Sequence, residues 1–109
     1  MDEDERARRI GLNEAVFREV NERIEDLAAT FGLESLDLLC ECGDASCAMR
    51  IEMDHTQYEK LRSDSTTFAV VCGHEIPDVE EIIARHRSYN IVRKVAREAR
   101  EAAEKTDPR

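Results

Sequence analysis

Leu36-Asp37-Leu38-Leu39-Cys40-Glu41-Cys42-Gly43-Asp44-Ala45-Ser46-Cys47-Ala48-Met49-Arg50-Ile51-Glu52-Met53 is the stretch that decides how this chain folds. Leu36, Leu38, Cys40 and Cys42 occupy alternate positions, as side chains on one face of a β-strand do. Gly43-Asp44-Ala45-Ser46 carries turn chemistry. The alternation then resumes with Cys47, Met49, Ile51 and Met53 on one side. The pattern predicts a β-hairpin with thiols flanking its turn. Two thiols separated by one residue share a strand face, and a third across a tight turn can approach the same point.

Upstream, Val16, Val20, Ile24, Leu27 and Phe31 recur at steps of four, four, three and four, which makes one stripe on an α-helix running from Leu12 to Phe31. Phe17 widens the stripe, Gly32 is a natural terminator, and Arg18, Glu19, Glu22, Arg23, Glu25 and Asp26 take the polar side. The stripe is expected to pack on the sheet, with a dimer or partner surface as the alternative.

Downstream, Asp54 with Gln57 three residues on predicts a capped short helix through Tyr58 and Leu61 to about Arg62. Thr66 to Cys72 is rich in β-branched residues and reads as a strand ending at Gly73. Between Val79 and Val95 the residues favour a strand pair turning near Arg87-Ser88, with helix then strand as the alternative. The Ala- and Glu-rich run from Val95 to Lys105 predicts a C-terminal helix. The expected fold is α+β: a long N-terminal amphipathic helix on a small, mainly antiparallel sheet with a metal-bearing hairpin and a C-terminal helix. One domain is expected over 1–109, with 1–10 and 106–109 frayed.

The chain has 109 residues, 41% hydrophobic, 5% aromatic and 38% charged, so its supply of large core side chains is thin. A metal cross-link would have a structural purpose in such a chain. The net charge of -9 disfavours binding to nucleic acid phosphates, and the 13 Arg and 3 Lys are interleaved with Glu rather than gathered in a block. Met1-Asp2-Glu3-Asp4-Glu5 is acidic where a signal peptide would be cationic. No segment approaches the ~20 apolar residues of a membrane helix. A cytoplasmic protein without nucleic acid or membrane contact is expected, and in a reducing compartment four close cysteines favour metal binding over disulfides.

Zn2+ takes four ligands in a tetrahedron and mixes thiolate with imidazole. Cys40, Cys42 and Cys47 supply three. The fourth is His74 or Cys72; His74 is favoured because it follows Gly73 at the mouth of a loop, whereas Cys72 ends an apolar run and reads as a small buried hydrophobe. His55, beside Asp54, reads as a surface or helix-start residue, and His86 as core-facing or exposed.

The segments Asn21-Glu22-Arg23-Ile24, Phe31-Gly32-Leu33-Glu34-Ser35, Leu39-Cys40-Glu41-Cys42-Gly43-Asp44, Cys47, Tyr58 and Gly73-His74-Glu75 resemble a family of short, acidic bacterial proteins from high-GC genomes. The likeness spans nearly the whole chain. It implies a motif of three cysteines and the His of a Gly-His-Glu element, here Cys40, Cys42, Cys47 and His74, from which Cys72 is a departure. It implies no reaction.

No catalytic spacing stands out. His74-Glu75-Ile76-Pro77-Asp78 lacks the second His of a metalloprotease helix and contains Pro, and neither a deaminase nor a thioredoxin-like pattern is present, since both need Cys-x-x-Cys. The sequence thus points to a non-enzymatic, zinc-finger-like module acting through a protein partner, with a homodimer among the options. The alternatives are a thiol redox sensor that releases zinc on oxidation and a small zinc hydrolase with Glu75 as base.

Overall fold

The computed structural model describes residues 3–109. The element order is α1 (Glu3–Thr30), β1 (Ser35–Leu39), β2 (Arg50–Asp54), α2 (His55–Arg62), β3 (Thr67–Val71), β4 (Glu80–Arg85), β5 (Tyr89–Lys94) and α3 (Arg97–Lys105). The fold is α+β, with two antiparallel sheets rather than one: β1-β2, and β3-β5-β4 with β5 in the middle.

In the first sheet Leu36 pairs with Met53 and Leu38 with Ile51. All four side chains are buried while Asp37 and Glu52 face outward, which is the alternation a half-buried hairpin requires. Helix α2 begins with a capping box in which Asp54 accepts from the Gln57 amide and Gln57 reaches back to the Asp54 amide. Its Tyr58 and Leu61 join Phe68 and Val70 of β3 and Val92 of β5 in the main core, and Cys40 and Cys42 belong to the same cluster. The residues from Val79 onward form the strand pair β4-β5, with a bulge between Ile82 and Ala84.

The first helix departs from expectation in two ways. It starts at Glu3, and Ala7 and Ile10 pack with Val79 and Ala99, so the described part of the stretch expected to fray is helical; Met1 and Asp2 lie outside the described residues. The chain end is also tied down, because Arg109 bonds Glu22 and Glu59. Second, most of the apolar stripe does not face the sheet. Val16, Val20, Leu27 and Phe31 are exposed, as is Leu12, and only Ile24 packs partly buried against the main core; the buried side carries Glu14, Arg18, Asn21 and Glu25 between the small residues Ala7, Gly11 and Ala28.

That polar seam is satisfied largely by specific partners. Lys94 ion-pairs with both Glu14 and Glu80 in full burial. The Arg18 guanidinium donates to the Ser65 and Ala103 carbonyls at 2.6 and 2.7 Å and lies 4.7 Å over the Phe68 ring. Helix α3 comes close because α1 has no side chain at Gly11: a Cβ there would stand 3.1 Å from the Ala102 Cβ and 3.2 Å from the Ala99 backbone. Small residues and buried ion pairs, rather than a leucine stripe, therefore fix α1.

Candidate metal centre

The three hairpin cysteines lie in the connection between β1 and β2, just past the strand ends, and not on the strands themselves. The reason is local. After the Leu39↔Arg50 pair the ladder continues only through the Cys40 amide, which donates to the Met49 carbonyl at 2.9 Å. Beyond it the chain turns inward, so Cys40, Glu41 and Cys42 are all buried and the strand alternation is lost, while Cys47 is half-buried.

His74 arrives from the other sheet. Gly73 adopts φ +91°, open to glycine, and the His74 amide donates to the Val71 carbonyl at 2.9 Å, closing a turn that carries the imidazole back toward Cys40. The Sγ atoms of Cys40 and Cys47 lie 3.5 and 3.7 Å from His74 Nδ1. The ligand atoms of Cys40, Cys42, Cys47 and His74 all fall within 4.8 Å of one another. Cys72 is outside this group. It is exposed rather than buried, and its sulfur faces the His86 and Arg87 carbonyls, because it precedes the Gly73 turn.

A buried polar clamp holds the Cys-x-Cys segment. The Glu41 side chain is fully buried, with Oε1 accepting from the Ala69 amide at 3.0 Å and Oε2 from Asn21 Nδ2 at 2.8 Å, and it forms an ion pair with Arg62. The Glu41 amide donates to the Ala69 carbonyl at 2.8 Å, so this residue also joins the loop to β3. Asn21 brackets Leu39 by accepting from its amide at 2.8 Å and donating to its carbonyl at 2.9 Å. Two turns earlier on α1, Asn13 donates to the Gly43 carbonyl at 3.1 Å. Ile10 and Ile76 close over Gly43 so tightly that a Cβ there would be 2.6 Å from Ile10 Cγ2. The sequence reading had none of these supporting residues. Their signal was present in Asn13 and Asn21, whose short amides on a helix suit clasping a neighbouring backbone.

Burial pushes the Cys40 and Cys42 thiols above the ordinary cysteine range, opposed by backbone amides: the Val71 N–H reaches Cys40 Sγ at 3.2 Å, and the Asp44 N–H serves Cys42. Cys40 and Cys42 thus have amide donors in place, and among the described residues no Lys or Arg is bonded to either sulfur. A bound cation would supply the positive charge that holds them as thiolates. The donor set also fits one: Zn–S near 2.3 Å and Zn–N near 2.0–2.1 Å in a tetrahedron give a sulfur-to-nitrogen edge of about 3.6 Å, and His74 Nδ1 lies 3.5 Å from Cys40 Sγ and 3.7 Å from Cys47 Sγ. A Cys3His group is therefore positioned to hold a metal ion, and all four cysteines are free thiols.

The other histidines sit elsewhere. His55 opens α2 and lies between Glu25, 2.7 Å away, and Glu59; this second His-carboxylate group already has a cation in Arg109, which is 2.7 and 2.9 Å from the Glu59 oxygens. His86 is exposed and stacks on Tyr89 with ring centroids 4.5 Å apart. Glu75 accepts from the Gly73 amide at 2.9 Å, serving the turn. Among the described residues no helix is long and apolar enough to cross a membrane. Compared with protein-family models, curated proteins and solved structures, the chain matches none.

Proposed function

We propose that this protein is a structural zinc module that works in the cytoplasm through contact with another protein, in a regulatory role. The observation that carries the reading is the agreement between the two sulfur-to-nitrogen distances, 3.5 and 3.7 Å, and the edge of a tetrahedral zinc centre. Cys40, Cys42, Cys47 and His74 Nδ1 would hold the ion. It would act as a cross-link, joining the β1-β2 connection to the end of β3 and so tying one sheet to the other. Four protein ligands close the coordination shell, which suits a structural ion rather than a catalytic one. Free thiols throughout fit a reducing compartment.

A second reading has one observation in its favour. Cys47 is half-buried, and the cluster opens to solvent beside Gly43, Asp44 and Ile76, so a small oxidant could reach a ligand sulfur. In that reading zinc is released on oxidation.

The test is elemental analysis of the purified protein. One zinc per chain is expected, falling below about a tenth in His74→Ala and Cys47→Ser. A folded wild-type protein with no stoichiometric metal would remove the proposal. Mild peroxide separates the two readings: a structural site keeps its zinc, and a sensor loses it with a change in folding or assembly.

A further inference from the structure

The solvent side of α1 carries Leu12, Val16, Val20 and Leu27, while Glu14, Arg18, Glu22 and Glu25 are buried on its other side. From the geometry of the solvent side we propose that this apolar face is the interface of a homodimer in which two α1 helices pack antiparallel. The inference deepens the protein-contact reading above by naming surface and partner, and it does not depend on the metal.

The area is adequate. Leu12, Val16, Val20, Leu27, Phe31 and Leu33 are 48, 63, 39, 61, 74 and 58% exposed. Together they present on the order of 600 Å2 of apolar surface, close to the ~800 Å2 per partner of a standard stable interface once flanking residues are added. That much exposed apolar side chain along one element is at the upper end of what a monomer leaves uncovered. The shape is adequate as well. Helix α1 has 28 residues, about 42 Å at 1.5 Å per residue, so it runs the length of a molecule whose long extent is 45 Å. One whole edge of the protein is therefore a helix face free for a second helix.

Charge selects the direction. Charges of both signs lie along α1, with Glu3, Glu5, Arg8 and Arg9 in its first turns and Glu19, Arg23 and Asp26 further on. Parallel pairing would set each of these charges against its own copy. Antiparallel pairing, with Leu12 opposite Phe31 and Val16 opposite Leu27, brings Arg9 toward Glu34 of the second copy and Arg23 toward its Glu19, and it also opposes the helix dipoles.

Sedimentation equilibrium on the full chain tests this. The expected mass is about 25 kDa, twice the 12.5-kDa protomer. Val16→Glu with Leu27→Glu should weaken association ~100-fold or more, since it buries unpaired carboxylates. Both sites are solvent-exposed in the protomer, so circular dichroism and zinc content should match wild type. A wild-type monomer at about 100 µM, leaving the face open to some other protein, would overturn the inference. So would a dimer that survives the double substitution. Benzoylphenylalanine installed at exposed Thr30 should cross-link to residues 9–16 of the second copy; cross-links to the neighbourhood of its Thr30 would overturn the antiparallel arrangement. Zinc measured on the same samples separates the two proposals, because a dimer without zinc sinks only the metal reading and a zinc-loaded monomer sinks only this one.

Discussion

Glu41→Gln is the sharpest perturbation of the scaffold, because the substitution keeps the shape of the side chain and changes only its charge and hydrogen-bonding. Glu41 and Arg62 are buried together, their side chains 0 and 2% exposed. Gln can keep one carbonyl on the Ala69 amide. Its NH2 must then stand where Oε2 stood, facing Asn21 Nδ2 and the Arg62 guanidinium, both of which are donors. If the amide is flipped, the NH2 meets the Ala69 amide instead, so a donor faces a donor in either orientation. Arg62 is left charged and unpaired, and its Nε and Nη1 already lack partners. Removing one member of a buried pair costs about 3–5 kcal/mol, which is a large share of the ~5–15 kcal/mol that stabilises a domain of this size.

Urea unfolding of the metal-loaded protein measures the effect. With a slope of about 2 kcal/mol/M, the midpoint should fall by roughly 2 M. Arg62→Met alone should also be costly, because it strands the Glu41 carboxylate. The pair Glu41→Gln with Arg62→Met should lie closer to wild type than the sum of the singles, with a coupling of at least about 1.5 kcal/mol. A loss below about 1 kcal/mol for Glu41→Gln, or strictly additive singles, would refute the assignment of Glu41 and Arg62 as a buried pair. Because Glu41 stands between Cys40 and Cys42, zinc affinity measured against a competing chelator should also drop ~10–100-fold.

Three further outcomes follow from the same geometry. Cys72→Ser should keep full zinc content and change stability by less than about 0.5 kcal/mol, since its exposed sulfur lies outside the cluster; loss of metal there would move the fourth ligand. Gly43→Ala should destabilise by ~1–3 kcal/mol through overpacking against Ile10 and Ile76, and with Ile10→Ala, which removes the Cγ2 it would meet, the double variant should lose less than the sum of the two singles in the same urea assay. Burial pushes the Glu14 carboxyl from the ordinary 4.5 up to about 8, against the opposing pull of Lys94. A raised carboxyl takes up a proton on folding, so its contribution is full below the unfolded value and is lost as pH climbs toward 8. Glu14→Gln, which mimics the protonated acid, should therefore flatten the fall in stability between about pH 5 and 8; parallel wild-type and mutant profiles would contradict this.

The hairpin and the cluster were legible because they rest on local chemistry. The alternation of Leu36, Leu38, Cys40 and Cys42 marks residues that are buried whether or not the last two are in the ladder, so the convergence of the cysteines is legible although β1 ends at Leu39. His74 over Cys72 was legible from Gly73, since only a residue beyond the turn can swing back. The division into two sheets was not legible. It depends on Glu41 taking both its backbone and side-chain bonds to Ala69, a contact between residues 28 apart that no local pattern announces.

The misreading of α1 has a definite physical source. Hydrophobic periodicity identifies which face is apolar, and the step from apolar to buried holds only when the rest of the chain has an apolar surface to meet it. Here the opposing surfaces present Lys94, Glu80, Glu41 and the carbonyls of Ser65 and Ala103, which a leucine face could not satisfy. The buried seam is Ala7, Gly11, Glu14, Arg18, Asn21, Glu25 and Ala28, with steps of four and three throughout. Its period is more regular than that of the stripe on the other side. Small residues at its ends allow close approach, and polar residues at its middle are each matched to a specific donor or acceptor. A regular polar seam opposite an irregular apolar one signals a helix with two committed faces. One is written in ion pairs and amide clasps and holds the protomer together. The other, written in Leu, Val and Phe, has no complement among the described residues, and it is the face proposed above for a second copy.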